Sequence, residues 1–358
     1  MTGVGASEVR RPWLLDPAHL ADGGAAGDLL DSSCGIPAPL LAVDLDSVPT
    51  PSVVAAAARA AGESDRILVG VATRGIPDPA LNPLVTGLDL TLVPDAACSV
   101  EQVAVVDPAA EVGVLQGLAE VNPQAATVLA GLLRWSGSLP VAAALDAESL
   151  AYSTLLGGQE FRRWLDRRGP RPLLPPAPAE PVLVVRDGDE LRITLNRPRR
   201  RNAYGREMRD ALVAALEIAL LDDGIARVVL DGAGPLFSAG GDLDEFGTTR
   251  DLATAHVVRT RGGAARLLHR LADRVEVRVH GTCVGAGIEL PAFAGRVVAR
   301  PTTTFRLPEV GMGLVPGAGG TVSIPRRIGR WRTLHLALSG RPLDAPTALA
   351  WGLVDALG

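Results

Sequence analysis

The sequence predicts an α/β protein in two parts, with layered and largely parallel sheets. Three observations carry this. Strand-like and helix-like runs alternate through the second half, prolines crowd one short segment in the middle, and glycine-rich loops stand where strands give way to helices.

In the first part, Asp65–Val71 and Leu139–Asp146 read as apolar strands. At Gly169–Pro181 prolines stand at 170, 172, 175, 176, 178 and 181. Each fixes its own φ and removes an amide donor, so neither a helix nor a central strand can run through them. A semi-rigid linker over 169–181 is expected, between an N-terminal α/β domain over 1–168 and a second domain over 182–358. Val182–Arg186 and Leu191–Leu195 alternate around Asp187-Gly188-Asp189, a β-hairpin pattern. Met208, Leu212, Ala215, Leu216 and Ala219 recur at helical spacing, and Arg227–Leu230 is a short buried-strand run. Helix is then expected over Leu252–Leu271, strand over Val275–Val279, helix over Ala286–Phe293 and strand over Arg296–Ala299. Helices follow near Thr321–Ile328, Thr333–Leu338 and Ala345–Trp351.

Composition excludes several kinds of chemistry. All 35 basic residues are arginine, so a lysine Schiff base and a P-loop lysine are impossible. Cys34, Cys98 and Cys283 form no CxxC pair, and the five histidines show no HxxxH spacing, so no metal centre is expected and a reducing compartment fits. No apolar run reaches membrane-spanning length and the start lacks a signal-peptide pattern, so a cytoplasmic protein is expected. Residues 1–180 hold 11 Arg against 21 acidic residues, whereas 181–358 hold 24 Arg against 19. An anionic ligand for the second half would suit this asymmetry. Nucleic acid is disfavoured, because the arginines are not interleaved with aromatics and no nucleic-acid module motif appears.

Three glycine-rich segments gather within about eighty residues: Phe237–Asp242 (FSAGGD), His280–Glu289 (HGTCVGAGIE) and Leu307–Thr321 (LPEVGMGLVPGAGGT). Glycine lets backbone approach a ligand, and helix N-termini offer unpaired amides to an anion or a developing oxyanion. None is a dinucleotide fingerprint; Gly232-Ala-Gly234 lacks the third glycine. Glu289 and Glu309 lie in these apolar loops, where a carboxylic acid keeps its proton nearer neutrality and can serve as general acid or base. Ser238 lacks a nucleophile elbow, and Cys283 reads as a buried apolar side chain. His256 and His269 fall on a polar helix and are expected in solvent.

Residues 182–358 resemble the enoyl-CoA hydratase/isomerase (crotonase) superfamily. The resemblance rests on Leu195–Pro198 with Asn202-Ala203, FSAGGD, HGTCVGAGIEL, LPEVGMGLVPGAGGT, Ser339–Arg341 and Ala350–Val354, in family order and spacing. It implies a spiral of ββα repeats acting on an acyl-CoA thioester. The thioester oxygen would be held by the amides of Gly241 and Ala286. Glu289 and Glu309 match both glutamates of the hydratase branch, and Gly317 matches a glycine whose amide helps hold the reactive water. Arg199, with Arg200 and Arg201 beside it, would meet the CoA phosphates, and Ala203, Ala239 and Leu243 would line the nucleotide and pantetheine arm. Addition of water to a 2-enoyl-CoA is therefore expected, with another crotonase-type isomerase or lyase, or a silent acyl-CoA-binding scaffold, as alternatives. No cofactor beyond CoA itself is implied, and neither nucleic acid nor membrane is an expected partner.

The resemblance also implies helices after the AWGLVDAL stretch that help assemble homo-oligomers, whereas the sequence ends at Gly358. Glu276 stands where a proline is common. The first part is expected to be non-catalytic, because its segment Asp146–Tyr152 has no glycine, and to supply the packing surface of those helices. A degenerate crotonase-like copy is left open for it.

Overall fold

The computed structural model describes residues 14–94, 99–169 and 180–358. Most of the proline-rich segment, and Cys98, lie outside the described residues. The chain divides into two compact units, Met1–Pro123 and Gln124–Gly358. The division therefore falls well ahead of the proline-rich segment at which the sequence sets its boundary.

The first unit is a five-stranded parallel sheet whose strands lie in chain order: β1 (Leu14–Leu15), β2 (Leu40–Asp44), β3 (Ile67–Val71), β4 (Leu90–Val93) and β5 (Gln102–Ala104). The helices are α1 (Pro17–Ala21), α2 (Pro51–Glu63), α3 (Asn82–Gly87) and α4 (Pro108–Val121). All of β3 and β4 is buried, as expected for a parallel sheet whose strands are continuous apolar runs.

The second unit opens with α5 (Pro123–Ser136), α6 (Val141–Leu156) and α7 (Gln159–Arg168). Here the structure corrects the reading of Leu139–Asp146 as a strand. Pro140 takes the N-cap position, and Ala142, Ala143, Ala144 and Ala147 favour the helix that follows.

The hairpin β6 (Val182–Asp187) and β7 (Glu190–Leu195) forms as expected, with Gly188 at φ 60° in its turn. Then follow α8 (Arg206–Leu221), β8 (Arg227–Gly232), α9 (Leu252–Arg261), α10 (Ala265–Arg270), β9 (Val275–Val279), β10 (Thr282–Val284) and α11 (Ala286–Glu289). The chain closes with β11 (Arg296–Ala299), β12 (Thr304–Arg306), α12 (Gly320–Ser339), β13 (Leu343–Asp344), α13 (Ala345–Trp351) and β14 (Ala356–Leu357). The main sheet runs β14-β11-β9-β8-β7-β6, all parallel except the hairpin, and a smaller sheet runs β10-β12-β13. The five periodic residues of α8 are its buried face. Glu276 stands on β9 among Arg227, Arg278 and Arg296, at 3.0, 2.7 and 3.5 Å, which gives a charge at this position its partners.

Glycine and proline mark where four expected helices differ. Gly262-Gly263 separates α9 from α10, and Pro291 ends α11 so that the chain continues as a 3₁₀ turn. The helices expected near 321–328 and 333–338 join as α12 across Gly329, which is non-helical at φ 80°. Among the described residues no helix is long and apolar enough to cross a membrane.

Helices α5–α7 pack on the rest of their unit. Glu160 of α7 accepts the amides of Gln124 and Ala125 at the start of α5. Phe161 and Trp164 stack at 5.8 Å and both meet Phe246, in the loop after the FSAGGD segment. Arg168 pairs with Asp244 at 3.2 Å, and Gly313 lies so close to α7 that a Cβ there would meet Glu160 at 2.6 Å.

Asn202 ties down the loops that open the site. It is fully buried in the left-handed region at φ 49°. Its Nδ2 donates to the carbonyls of Ala233, Leu236 and Phe237, and its Oδ1 accepts the amide of Arg197. Its own carbonyl accepts the Ser238 hydroxyl at 2.8 Å. Asn202→Ala should therefore cost about 3 kcal/mol, read from urea unfolding, because buried carbonyls lose their donor and a left-handed backbone loses a tolerant residue.

Candidate functional site

The three glycine-rich segments converge because two of them touch backbone to backbone. Ser238 bridges Cys283 in parallel, and the Val284 amide donates to the Ser238 carbonyl at 3.1 Å. A Cβ at Gly240 would lie 2.5 Å from the Val284 carbonyl oxygen, and one at Gly287 would lie 2.4 Å from that of Ser238. Larger residues would separate the loops.

Beside this crossing lies a cavity of about 740 Å³. Its wall includes Gly241, Ala286, Glu289, Glu309 and Gly317, the five residues singled out in the sequence for catalysis. Ala286 opens α11 and so has no carbonyl a turn earlier to bond; within the described residues neither its amide nor that of Gly241 donates to a protein acceptor. Two free amides on adjoining loops form a ready site for a developing oxyanion.

The carboxyls of Glu289 and Glu309 meet at Gly285, which is held at φ 49°. A Cβ there would lie 2.5 Å from Glu309 Oε1 and 3.4 Å from Glu289 Oε1, so only glycine leaves room for both. Glu289 is 2% exposed, and its Oε2 accepts the amides of Ala318 at 2.7 Å and Gly320 at 2.9 Å. Glu309 Oε2 is buried with no hydrogen-bond partner among the described residues. Burial raises both carboxyls above their usual range. The two amides oppose this for Glu289; for Glu309 the charges of Glu289 and Glu148 add to it, while its own backbone amide and Arg306 oppose it.

Part of this cavity wall comes from α6, including Glu148, Ser149 and Tyr152 in the stretch read as a glycine-free, non-catalytic segment. Glu148 is 2% exposed. Its Oε1 accepts the Gly319 amide at 2.7 Å, and its Oε2 accepts the amide and hydroxyl of Thr321 at 2.9 and 2.8 Å. Burial pushes its carboxyl up to about 8, with the Glu289 charge adding to the effect and Thr321 and Gly319 opposing it. Tyr152 lays its ring on Gly317, where a Cβ would lie 2.4 Å away, and Arg259 of α9 stacks on that ring at 4.5 Å. Arg259 is itself held by the carbonyl and hydroxyl of Ser149 and by the Ser153 hydroxyl. A signal for this wall exists in the sequence. Leu145, Glu148 and Tyr152 fall at i, i+3 and i+7, on one face of a helix.

The residues expected to hold CoA lie just outside the cavity wall. Arg201 accepts the Ala239 amide at its carbonyl, which laces the 199–203 segment to the FSAGGD loop, with Leu243 in the 3₁₀ turn that follows. The three arginines are not equivalent. Arg199 and Arg201 are exposed, whereas Arg200 is half-buried and paired with Asp242 and Asp244, each at 3.0 Å. Cys283 is buried and its thiol is pushed up by burial, so it is no nucleophile. His256 is not fully solvated as expected: it meets the Ser149 hydroxyl at 3.0 Å, whereas His269 is exposed. Among the described residues no cluster of His, Cys, Asp and Glu could hold a metal ion.

Comparison with known proteins gives the family of the second half. The enoyl-CoA hydratase/isomerase family model matches residues 190–357. The 2,3-dehydroadipyl-CoA hydratase of Escherichia coli (strain K12) is 37% identical over 174 residues, 49% of this chain and 68% of that protein. The 1,2-epoxyphenylacetyl-CoA isomerase of the same organism is 37% identical over 167 residues, 45% and 63% of the two chains. The crystal structure of an enoyl-CoA hydratase from Thermoplasma volcanium GSS1 matches with a TM-score of 0.44 at 32% identity, over 50% of this chain and 72% of that one. A Thermobifida fusca YX protein crystallised in complex with acetoacetyl-CoA matches with a TM-score of 0.45 at 28% identity, over 50% and 73%. The chain belongs to the enoyl-CoA hydratase/isomerase (crotonase) family, through its C-terminal half. It spans about two thirds of the length of these two relatives.

The buried carboxyls give stability a definite pH dependence. Glu148, Glu289 and Glu309 all hold protons more tightly in the folded protein than the ordinary value of 4.5 allows. Above that value the folded state binds more protons than the unfolded chain, so stability falls as pH rises toward about 8. Urea midpoints should be higher at about pH 5 than at about pH 8, and replacing the three glutamates by glutamine should flatten the difference.

Proposed function

We propose that this protein is an enoyl-CoA hydratase that adds water across the double bond of a 2-enoyl-CoA thioester. The observation that carries this reading is the unequal bonding of two carboxyls beside one pair of free amides. Glu289 Oε2 takes two backbone N–H groups, which favour its ionised form, whereas Glu309 Oε2 takes none and is raised further by its acidic neighbours. Environments that push two carboxyls apart assign the base and the acid.

In this reading the thioester oxygen accepts hydrogen bonds from the amides of Gly241 and Ala286. Glu289, with the Gly317 amide, orients a water and takes its proton as the oxygen attacks Cβ. The amides stabilise the enolate, which then takes the Glu309 proton at Cα. One proton arrives at Glu289 and one leaves Glu309, so a proton must pass between the carboxyls before the next turnover. Arg199 and Arg201 are free to meet the phosphates of CoA, whereas Arg200 is held by Asp242 and Asp244.

Glu309→Gln and Glu289→Gln should each slow crotonyl-CoA hydration by roughly 10²–10⁴ while CoA-ester affinity stays within a few fold, and the double variant should be far less than additive. An isomerase would need one glutamate as its proton shuttle, leaving the other replacement nearly silent. A binding scaffold would show no turnover to lose.

Replacing Arg199 and Arg201 together by alanine should weaken CoA-ester binding at low ionic strength, with the loss shrinking as salt rises. Replacing Arg200 should instead lower stability, by about 1–2 kcal/mol in urea unfolding, because Asp242 loses its arginine and Asp244 is left with Arg168 alone.

A further inference from the structure

Four consecutive backbone amides precede and open α12, and they alternate between two carboxylates. Ala318 and Gly320 donate to Glu289, while Gly319 and Thr321 donate to Glu148. Glu148 comes from α6, a helix that lies ahead of the segment matched by the family, and its side chain lines the same cavity. Neither role proposed above uses it.

We propose that Glu148 is a positioning residue of the catalytic carboxyls. By sharing amides 318–321 with Glu289 it fixes the loop that carries the donors of Glu289, and it adds a third carboxyl to the cavity wall that Glu289 and Glu309 line. The proposal rests on the hydratase reading for its kinetic consequence and on the hydrogen bonds alone for its geometry.

Burial of a third acidic group needs a reason. Removing it would cost the protein only three hydrogen bonds that water or glutamine could partly replace, whereas keeping it places a carboxyl in a cavity wall that already holds two. The charged and titratable groups facing this cluster are Glu289 on α11, Glu309 with Arg306 beside it, Tyr152 on α6, Arg259 on α9 and Tyr204 ahead of α8. Arg259 lines the same cavity, and its hydrogen bonds go to Ser149 and Ser153 rather than to a carboxylate. The cluster is therefore acid-rich, and its protons are held in common.

The sign follows from like charges that share one cavity wall. Glu148 raises Glu309, so taking its charge away lets Glu309 ionise at lower pH. A general acid that ionises earlier fails earlier as pH rises. Glu148→Gln should move the basic limb of the kcat profile down by about one pH unit and lower kcat by about 10-fold on that limb, with KM changed by less than about 3-fold. Thr321→Val removes one donor from Glu148, makes it a weaker acid, and should move the limb the same way by a few tenths of a unit.

The experiment measures kcat and KM for crotonyl-CoA against pH in the wild type and both variants. Circular dichroism confirms folding, and NMR of ¹³C-carboxyl-labelled glutamate follows each titration, with Glu309→Gln used to assign the Glu309 resonance. A downward move of the limb and of the Glu309 titration in both variants supports the proposal. A loss of kcat with both unmoved reduces Glu148 to a packing residue and overturns it. If Glu148→Gln does not fold, Thr321→Val alone decides on the same criterion. If the wild type hydrates no enoyl-CoA, the hydratase reading fails by itself. Glu148 is then judged by the Glu309 titration: earlier ionisation in the variants upholds it, an unchanged titration overturns it.

Discussion

The start of α12 is the constraint on which the second unit turns. A helix must find partners for its first amides, and here the partners are side chains from two other helices. Glu289 reaches across from α11 and Glu148 from α6, and their oxygens alternate along residues 318–321. One short run of backbone thus fixes the angle of a glutamate in the cavity, the docking of α6 and the entry of a twenty-residue helix. Gly319 makes the approach possible, because it sits at φ 108° with the Phe293 ring where a Cβ would be.

Glycine explains why so much of this site was legible in the sequence. Gly240, Gly285 and Gly287 are required by close approaches that no side chain permits, and their spacing therefore marks the loops before any coordinates are known. Short, strongly apolar strands such as β9 and β11 were equally legible, since each fell on its expected residues. What local pattern could not carry was partnership over distance. Leu139–Asp146 is apolar enough to suit strand or helix, and the choice is made by Pro140 and by packing against α12 and α9. Glu148 and Tyr152 were hidden behind that ambiguity. The role of Arg200 was hidden too, because its two aspartates lie more than forty residues on.

The same distance effects set the electrostatics of the cavity. Three carboxyls face a space in which one guanidinium, that of Arg259, is tied to hydroxyls and to an aromatic ring. Low dielectric makes each charge costly, so the charge on one carboxyl bears on the protons of its neighbours. Arginine elsewhere is largely committed to structure: Arg327 caps the carbonyls of Ala292 and Ala294, and Arg274 those of Ile225 and Ala219. The positive balance of the second half is thus partly spent inside the fold and overstates the charge available to a ligand.

The bond from Thr321 to Glu148 joins residues 173 positions apart. During synthesis the helix that carries Glu148 leaves the ribosome long before the amides that will receive it exist. Until then Glu148 lacks all three of its donors, and closing so long a loop comes late on any folding route. The cavity is therefore among the last features to form, and a chain interrupted before residue 318 would expose α6 with its glutamate in water. That interval, rather than the finished fold, is where this protein is most open to misassembly or to capture by a chaperone.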